Sequence, residues 1–203
     1  MKKIRSLLVL VMALAGLSST PLPDKLVKQV LDGDTIVLRN GDKIRYLGID
    51  SPEMGEKPEF MGVEARDLNR RLVSGKRVRL EFDKEREDRY GRKLCYVFLE
   101  NGEMVNAILL RRGLAYVLAI GPNVKYFSPF LEQQRLAMQE RVGIWSREPP
   151  HPEKSYEGNT GSLVFHRPQC ERAKEIARHN RRSFPDRRSA FWEGYHPCRI
   201  CKP

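Results

Sequence analysis

Arg45-Tyr46-Leu47-Gly48-Ile49-Asp50-Ser51-Pro52-Glu53 decides how the rest of the chain is read. Residues 43–49 are β-branched and aromatic enough to predict a strand, and Ser51-Pro52 ends it because proline forces its predecessor into an extended geometry. That strand delivers Asp50 at its end, a proline sets the exit, and Glu53 follows. Simple alternation would put Arg45 and Asp50 on opposite faces. Their cooperation needs a bend or bulge, for which Gly48 is the candidate.

Upstream, residues 25–31 and 35–38 read as two strands around Asp32-Gly33, a favoured hairpin dipeptide, and a second turn follows at Asn40-Gly41. Gly33 lets the chain turn sharply, so Asp32 and Asp34 stand on either side of one tight turn. Taken alone, Asp32-Gly33-Asp34-Thr35 is also an ordinary turn, since aspartate hydrogen-bonds nearby backbone. Downstream, Phe60, Val63, Ala65, Leu68 and Leu72 recur at near-helical spacing and predict a helix over 59–72. Strand patterns return at 77–82 and 94–99, with a charged loop over 83–92 between them. Within it, Gly91 permits a turn that aims Arg92 toward the same end of the sheet, although the segment by itself also fits a solvated loop. Further helices are predicted at 103–114 and 129–142, the latter with Pro129 at its start. The class is α+β, mostly β. Five strands with about three helices are consistent with a closed or nearly closed Greek-key barrel of the oligonucleotide-binding (OB) type.

Asp34, Asp50 and one backbone carbonyl offer oxygen donors of the kind that suit a hard divalent cation such as calcium. So few protein ligands leave the site open for water and substrate, as needed to polarise a phosphodiester oxygen. Guanidinium at Arg92 offers forked donors to phosphate oxygens and stays charged at any working pH.

These pieces resemble the staphylococcal-nuclease, or thermonuclease-like, family in motif and in order. The matching segments are Val30-Leu31-Asp32-Gly33-Asp34-Thr35, Ile44-Arg45 through Ile49-Asp50-Ser51-Pro52-Glu53, Phe82-Asp83-Lys84 and Tyr90-Gly91-Arg92. Met104-Val105-Asn106, Arg112-Gly113-Leu114-Ala115 and Ile144-Trp145-Ser146 follow in the same sequence. The resemblance implies an OB barrel and calcium-dependent cleavage of DNA and RNA to 3′-phosphates and 5′-hydroxyls. It implies calcium on Asp34, Asp50 and the Ser51 carbonyl, with Asp32 ordering the surroundings. By the same resemblance Arg45 and Arg92 grip the scissile phosphate, and Glu53 is the base that orients or deprotonates water. Where the family's type member has nucleotide-packing tyrosines, this chain has Ala119-Ile120-Gly121-Pro122. Tyr90, Tyr116, Tyr126 or Phe127 can offer stacking surfaces instead, or can serve as packing residues.

The tail carries His166-Arg167-Pro168-Gln169-Cys170 and then Pro197-Cys198-Arg199-Ile200-Cys201. Two short ligand pairs far apart in sequence suit a structural, four-coordinate zinc on His166, Cys170, Cys198 and Cys201. Such an ion stabilises a unit too small to do so by core burial. Disulfides are the alternative, and His179 or His196 could replace His166. Cys95, in an apolar strand, reads as a buried small hydrophobe. The tail is similar to the small zinc-binding domain at the front of bacterial methylphosphotriester DNA-repair proteins. It departs from that pattern in having His166 where a cysteine is expected, so methyl transfer is not inferred. Arg178, Arg181, Arg182, Arg187 and Arg188 form either an auxiliary DNA-binding surface or a solvated basic face.

At the other end, Lys2, Lys3 and Arg5 precede an uncharged, mostly apolar run over 7–17, too short to span a bilayer comfortably. It reads as a signal peptide over 1–20, followed by a barrel domain over 21–147, a proline- and glycine-rich linker over 148–161 and a small zinc-binding domain over 162–203. Export to the periplasm or medium is expected, or membrane tethering if the segment is uncleaved. The chain's formal charge of +11 suits a polyanionic partner without deciding for one. DNA and RNA are the expected substrates, of a monomer with no obligate protein partner. A catalytically silent binding module on the same barrel, or an envelope scaffold, are the competing functions. Glu53 argues against the silent module, because binding alone has no need of it.

Overall fold

The computed structural model describes residues 25–148 and 152–203. The expected signal peptide lies outside these residues, as does part of the expected linker. Strands β1 (Val27–Val30), β2 (Thr35–Leu38) and β3 (Lys43–Tyr46) form the anticipated antiparallel meander. The chain then breaks at Leu47-Gly48 and resumes as the two-residue β4 (Ile49–Asp50). Helix α1 (Gly62–Val73) follows, and β5 (Arg79–Glu87) and β6 (Lys93–Phe98) form an antiparallel hairpin. Helix α2 (Val105–Arg111), strand β7 (Tyr116–Val117) and helix α3 (Phe127–Gln139) complete the first unit.

The main sheet runs β1-β2-β3-β6-β5, with β3 and β6 parallel. Its two edges meet at a bridge between Leu26 and Arg77, where Val27 N–H donates to the Lys76 carbonyl (2.9 Å) and Val78 N–H to Lys25 (3.2 Å). Closure of this kind removes the exposed strand edges. The enclosed core includes Ile36, Leu38, Ile44, Ile49, Val97, Leu109 and Leu110, all at most 2% exposed.

Three boundaries differ from expectation for identifiable reasons. Strand β5 continues through Glu87 into the stretch read as a charged loop: its outer residues are solvated, and after a register shift beyond Phe82 the backbone meets β6 again at Glu87 opposite Lys93. Helix α1 starts at Gly62 and buries Gly62, Ala65, Asn69 and Val73, leaving Phe60 and Val63 about 40% exposed. Residues 156–159, assigned to the linker, form β8 (Tyr156–Asn159). This strand lies between β9 (Val164–His166) and β10 (Arg181–Phe184) in a four-stranded sheet completed by β11 (His196–Pro197). Only Tyr156 and Gly158 of β8 face inward, so the apolar alternation is nearly invisible in sequence. The second unit also carries the short helices α4 (Glu171–Lys174) and α5 (Arg187–Trp192), beyond the three helices of the barrel. Among the described residues no helix is long and apolar enough to cross a membrane.

The two units share packing. Met138, at the end of α3, is buried with Tyr156, Phe165, Phe184 and Phe191 of the second unit, and Tyr116 and Trp145 lean on that cluster. Gln134 spans the junction: its Oε1 accepts from Val117 N–H (2.7 Å) and its Nε2 donates to the Phe191 carbonyl (2.6 Å).

Gly48 holds the break that ends β3. Its φ is +75°, and an added Cβ would stand 2.7 Å from the Phe130 ring. Gly41 has a comparable φ of +91° but open space around it. Gly48→Ala should therefore lower the unfolding free energy by about 2–4 kcal/mol, strain plus overpacking. Gly41→Ala should cost only about 1–2 kcal/mol, from strain alone. Urea denaturation of both variants checks this, and equal losses would remove the steric explanation.

Candidate active site and metal centre

Because the chain turns at Gly48, Arg45 and Asp50 meet despite belonging to opposite faces of an ideal strand. Arg45 Nη2 lies 2.5 Å from Asp50 Oδ1, and Nη1 lies 3.1 Å from Asp34 Oδ2. Nη1 also donates to the carbonyls of Tyr46 (2.8 Å) and Ile49 (2.9 Å), so the guanidinium clamps the backbone on both sides of the break. Arg45, Asp34 and Asp50 are all buried.

Asp34 is held from several directions. Its Oδ2 accepts from Ser51 N–H (2.7 Å) and its Oδ1 from the Thr35 hydroxyl (3.1 Å). Asp32 orders the turn beneath it by accepting Asp34 N–H (2.9 Å). Gly33 is needed here for close approach: a Cβ would lie 2.6 Å from Ser51 Cβ and 2.8 Å from Ala65 Cβ. The Asp32 carbonyl accepts from Asn69 of α1 (3.1 Å), whose Oδ1 accepts from the Tyr46 hydroxyl (2.9 Å). Asn69 escaped the sequence reading. Its signal was positional, a polar residue four after Ala65 and four before Val73, both of which face inward.

Electrostatics at this end of the barrel are unbalanced. Burial pushes the Asp34 carboxyl up to about 7 against the pull of Arg45, with Asp32 and Asp50 adding repulsion. Glu53, exposed at the rim, is also raised by desolvation and by Asp50, Asp32 and Glu59. One buried guanidinium thus faces a surplus of carboxylates. Two buried carboxylates with hard oxygen donors fit a divalent cation such as calcium, and they are too few to fill its shell of six to eight oxygens.

Arg92 is placed differently. It sits at the start of the β6 arm, with Nε 2.7 Å from Asp88 Oδ2, and its guanidinium lies 5.6 Å from the centre of the Tyr90 ring. Its ion pair is with Asp88, not with the carboxylates around Arg45. The three candidate tyrosines also separate. Tyr90 is 68% exposed between Arg89 and Arg92. Tyr126 packs on Tyr96 and Phe130 and donates its hydroxyl to Glu81 (2.9 Å). Tyr116 pairs with Asp50 across β7 and β4, donates its hydroxyl to Asp50 Oδ2 (2.7 Å) and packs its ring on Phe191.

In the second unit the ligand atoms of His166, Cys170, Cys198 and Cys201 all lie within 4.8 Å of one another. Arg167 N–H points at Cys201 Sγ and Ile200 N–H at Cys198 Sγ, both at 3.4 Å, the polar support a thiolate ligand requires. Burial lowers the His166 pKa, favouring the neutral, ligating imidazole. Burial pushes Cys201 up to about 12, with Cys170 and Cys198 adding to the effect. One imidazole and three sulfurs gathered this closely are a donor set that fits tetrahedral zinc. No disulfide links these cysteines. His196 and His179 lie outside the four-residue cluster, and Cys95 is fully buried in β6.

Residues 43–147 match the staphylococcal nuclease homologue family. The chain is 40% identical to the thermonuclease of Staphylococcus hyicus over 139 residues, covering 65% of this chain and 81% of that protein. This chain belongs to the staphylococcal nuclease homologue family. It is also 39% identical over 146 residues to the SPbeta prophage-derived endonuclease YokF of Bacillus subtilis (strain 168), covering 68% of this chain and 49% of that protein. Endonuclease YncB of the same strain is 41% identical over 128 residues, covering 59% of this chain and 60% of its own length.

Tyr116→Phe removes the hydroxyl from a largely buried carboxylate while keeping the ring on Phe191. It should cost about 1.5–3 kcal/mol in urea-monitored stability. Unaltered stability would mean that the phenol does not hold Asp50.

Proposed function

We propose that the protein is an exported, calcium-dependent nuclease that hydrolyses phosphodiester bonds of DNA and RNA and leaves 3′-phosphates and 5′-hydroxyls. The observation that carries this reading is the convergence of Asp34, Asp50 and Arg45 beside Glu53, in a chain related to proteins named thermonuclease and endonuclease. Asp34, Asp50 and the Ser51 carbonyl hold the calcium, and Asp32 orders the turn that carries Asp34. Calcium held there would supply positive charge that eases attack at phosphorus.

The chain's own groups do the rest. Glu53 stands at the rim, where its raised pKa makes it a better proton acceptor than an ordinary surface glutamate. It takes a proton from the attacking water as the new P–O bond forms. The P–O5′ bond breaks, and O5′ leaves with a proton from solvent. Arg45 is prealigned by two backbone carbonyls and contributes a fixed positive charge toward the more negative transition state. Arg92 exchanges its Asp88 partner for a phosphate oxygen when substrate is present. His166, Cys170, Cys198 and Cys201 hold a structural zinc, separate from the calcium site. Export rests on the basic head and apolar run at the N-terminus.

Plasmid cleavage by purified protein should require calcium and stop in excess chelator. Glu53→Gln should lose about 10²–10⁴-fold in kcat, and Arg92→Ala about 10²–10³-fold. Undiminished cleavage in chelator, or by both variants, would sink this mechanism. Metal analysis of the protein should find about one zinc per chain, and a zinc-free protein with paired cysteines would reject the structural-zinc assignment.

A further inference from the structure

A cleft of about 470 Å³ lies between the barrel and the C-terminal unit. That volume is within the range of ligand-binding clefts. The barrel contributes an acidic wall that includes Asp50, Glu53 and Glu59, and the C-terminal unit contributes a basic one that includes Arg187, Arg199 and Lys202. The walls already touch, with Arg199 Nη2 3.6 Å from Asp50 Oδ2 and Lys202 Nζ 3.5 Å from Glu59 Oε1.

We infer that this cleft is a second nucleic-acid subsite, in which Arg187 and Arg199 of the C-terminal unit bind phosphates of a single strand flanking the scissile bond. The inference rests on the nuclease reading for the identity of its ligand, and on three observations for its place. First, Arg199 comes from the short loop between Cys198 and Cys201, so the same fold that gathers His166, Cys170, Cys198 and Cys201 aims a guanidinium at Asp50. Its side chain is 73% exposed and reaches Asp50 at the long end of ion-pair distance, so the contact is easily exchanged. A cation taking Asp50 and a phosphate taking Arg199 are complementary replacements, each relieving the charge the other leaves. Second, Arg187 lines the cleft with a buried Nε that has no hydrogen-bond partner among the described residues. Its guanidinium is held 5.1 Å from the centre of the Phe191 ring. Burial without a partner costs free energy, and a small shift of this side chain toward a phosphate oxygen in the cleft would recover it.

Third, other arginines of the tail are already engaged in structure. Arg181 donates to the carbonyls of Ala173 and Ile176, Arg182 pairs with Glu193 (2.7 Å), and Arg188 donates to the Met138 carbonyl. Arg181 and Arg188 of the basic face expected from sequence are thus committed to backbone carbonyls, while Arg187 and Arg199 line the cleft. A strand is favoured over a duplex because the cleft is walled on both sides and phosphates in a single strand are separately accessible.

The test uses the full chain with zinc and calcium, carrying Glu53→Gln so that the probe survives. The probe is fluorescein-labelled dT12, read by anisotropy across a salt series, and zinc content verifies the fold of each variant. Arg187→Ala and Arg199→Ala should each weaken binding about tenfold and lower the slope of log Kd against log salt by about 0.7. Arg199→Lys should recover part of the loss, and Arg182→Ala should bind like its parent. Unchanged or tighter binding by both cleft variants, or loss confined to Arg182→Ala, overturns the inference. Cleavage by the chain with Glu53 intact is measured separately. Its absence would fail the nuclease reading, while the binding series would still decide the cleft.

Discussion

Everything at the working end of this protein depends on one buried guanidinium. Arg45 bonds to the carbonyls of Tyr46 and Ile49 and to the carboxylates of Asp34 and Asp50. It thereby ties the β1–β2 turn, the end of β3 and the short β4 into one rigid unit. A buried charge is tolerated when it is paired and hydrogen-bonded, and Arg45 has two carboxylate partners and two carbonyl acceptors. The arrangement also leaves carboxylate in excess, and repulsion from Asp32 and Asp50 adds to the burial that raises the Asp34 pKa. A site built this way suits a cation, because its acidic groups are already assembled around one guanidinium.

Buried polar side chains carry that order outward. Asn69 links α1 to the Asp32 turn and to Tyr46. Asn106 of α2 accepts from Val97 N–H and donates to the Leu47 carbonyl, securing the strand break from the opposite side. Gln134 of α3 joins β7 to the C-terminal unit. Each satisfies backbone groups that the broken or short strands leave without ladder partners, and burial makes those bonds expensive to lose.

The C-terminal unit is consequently part of the same structural argument. Its aromatic cluster takes in Met138 of α3 and receives Tyr116, the residue whose hydroxyl holds Asp50. The short loop carrying Cys198 and Cys201 then brings Arg199 back to that carboxylate. The two metal-suited centres, one of oxygen donors and one of sulfur and nitrogen donors, are chemically distinct but mechanically joined through Phe191, Tyr116 and Asp50.

Local chemistry made much of this legible in sequence. Turn dipeptides, strand alternation and the Ser51-Pro52 exit place Asp32, Asp34, Asp50 and Glu53 near one end of a small barrel, because each signal acts over only a few residues. The spacing of His166, Cys170, Cys198 and Cys201 is legible for the same reason, since a ligand pair is a local loop. Tertiary structure alone decided how far Gly48 turns the chain, that β5 runs on to Glu87, and that residues 156–159 form a strand under Phe184 and Tyr195. It also decided that Arg92 rests on Asp88 and that Arg199 faces Asp50. These outcomes depend on contacts between residues far apart in the chain, and a side chain's partner across such a distance leaves no periodic or local mark in the sequence.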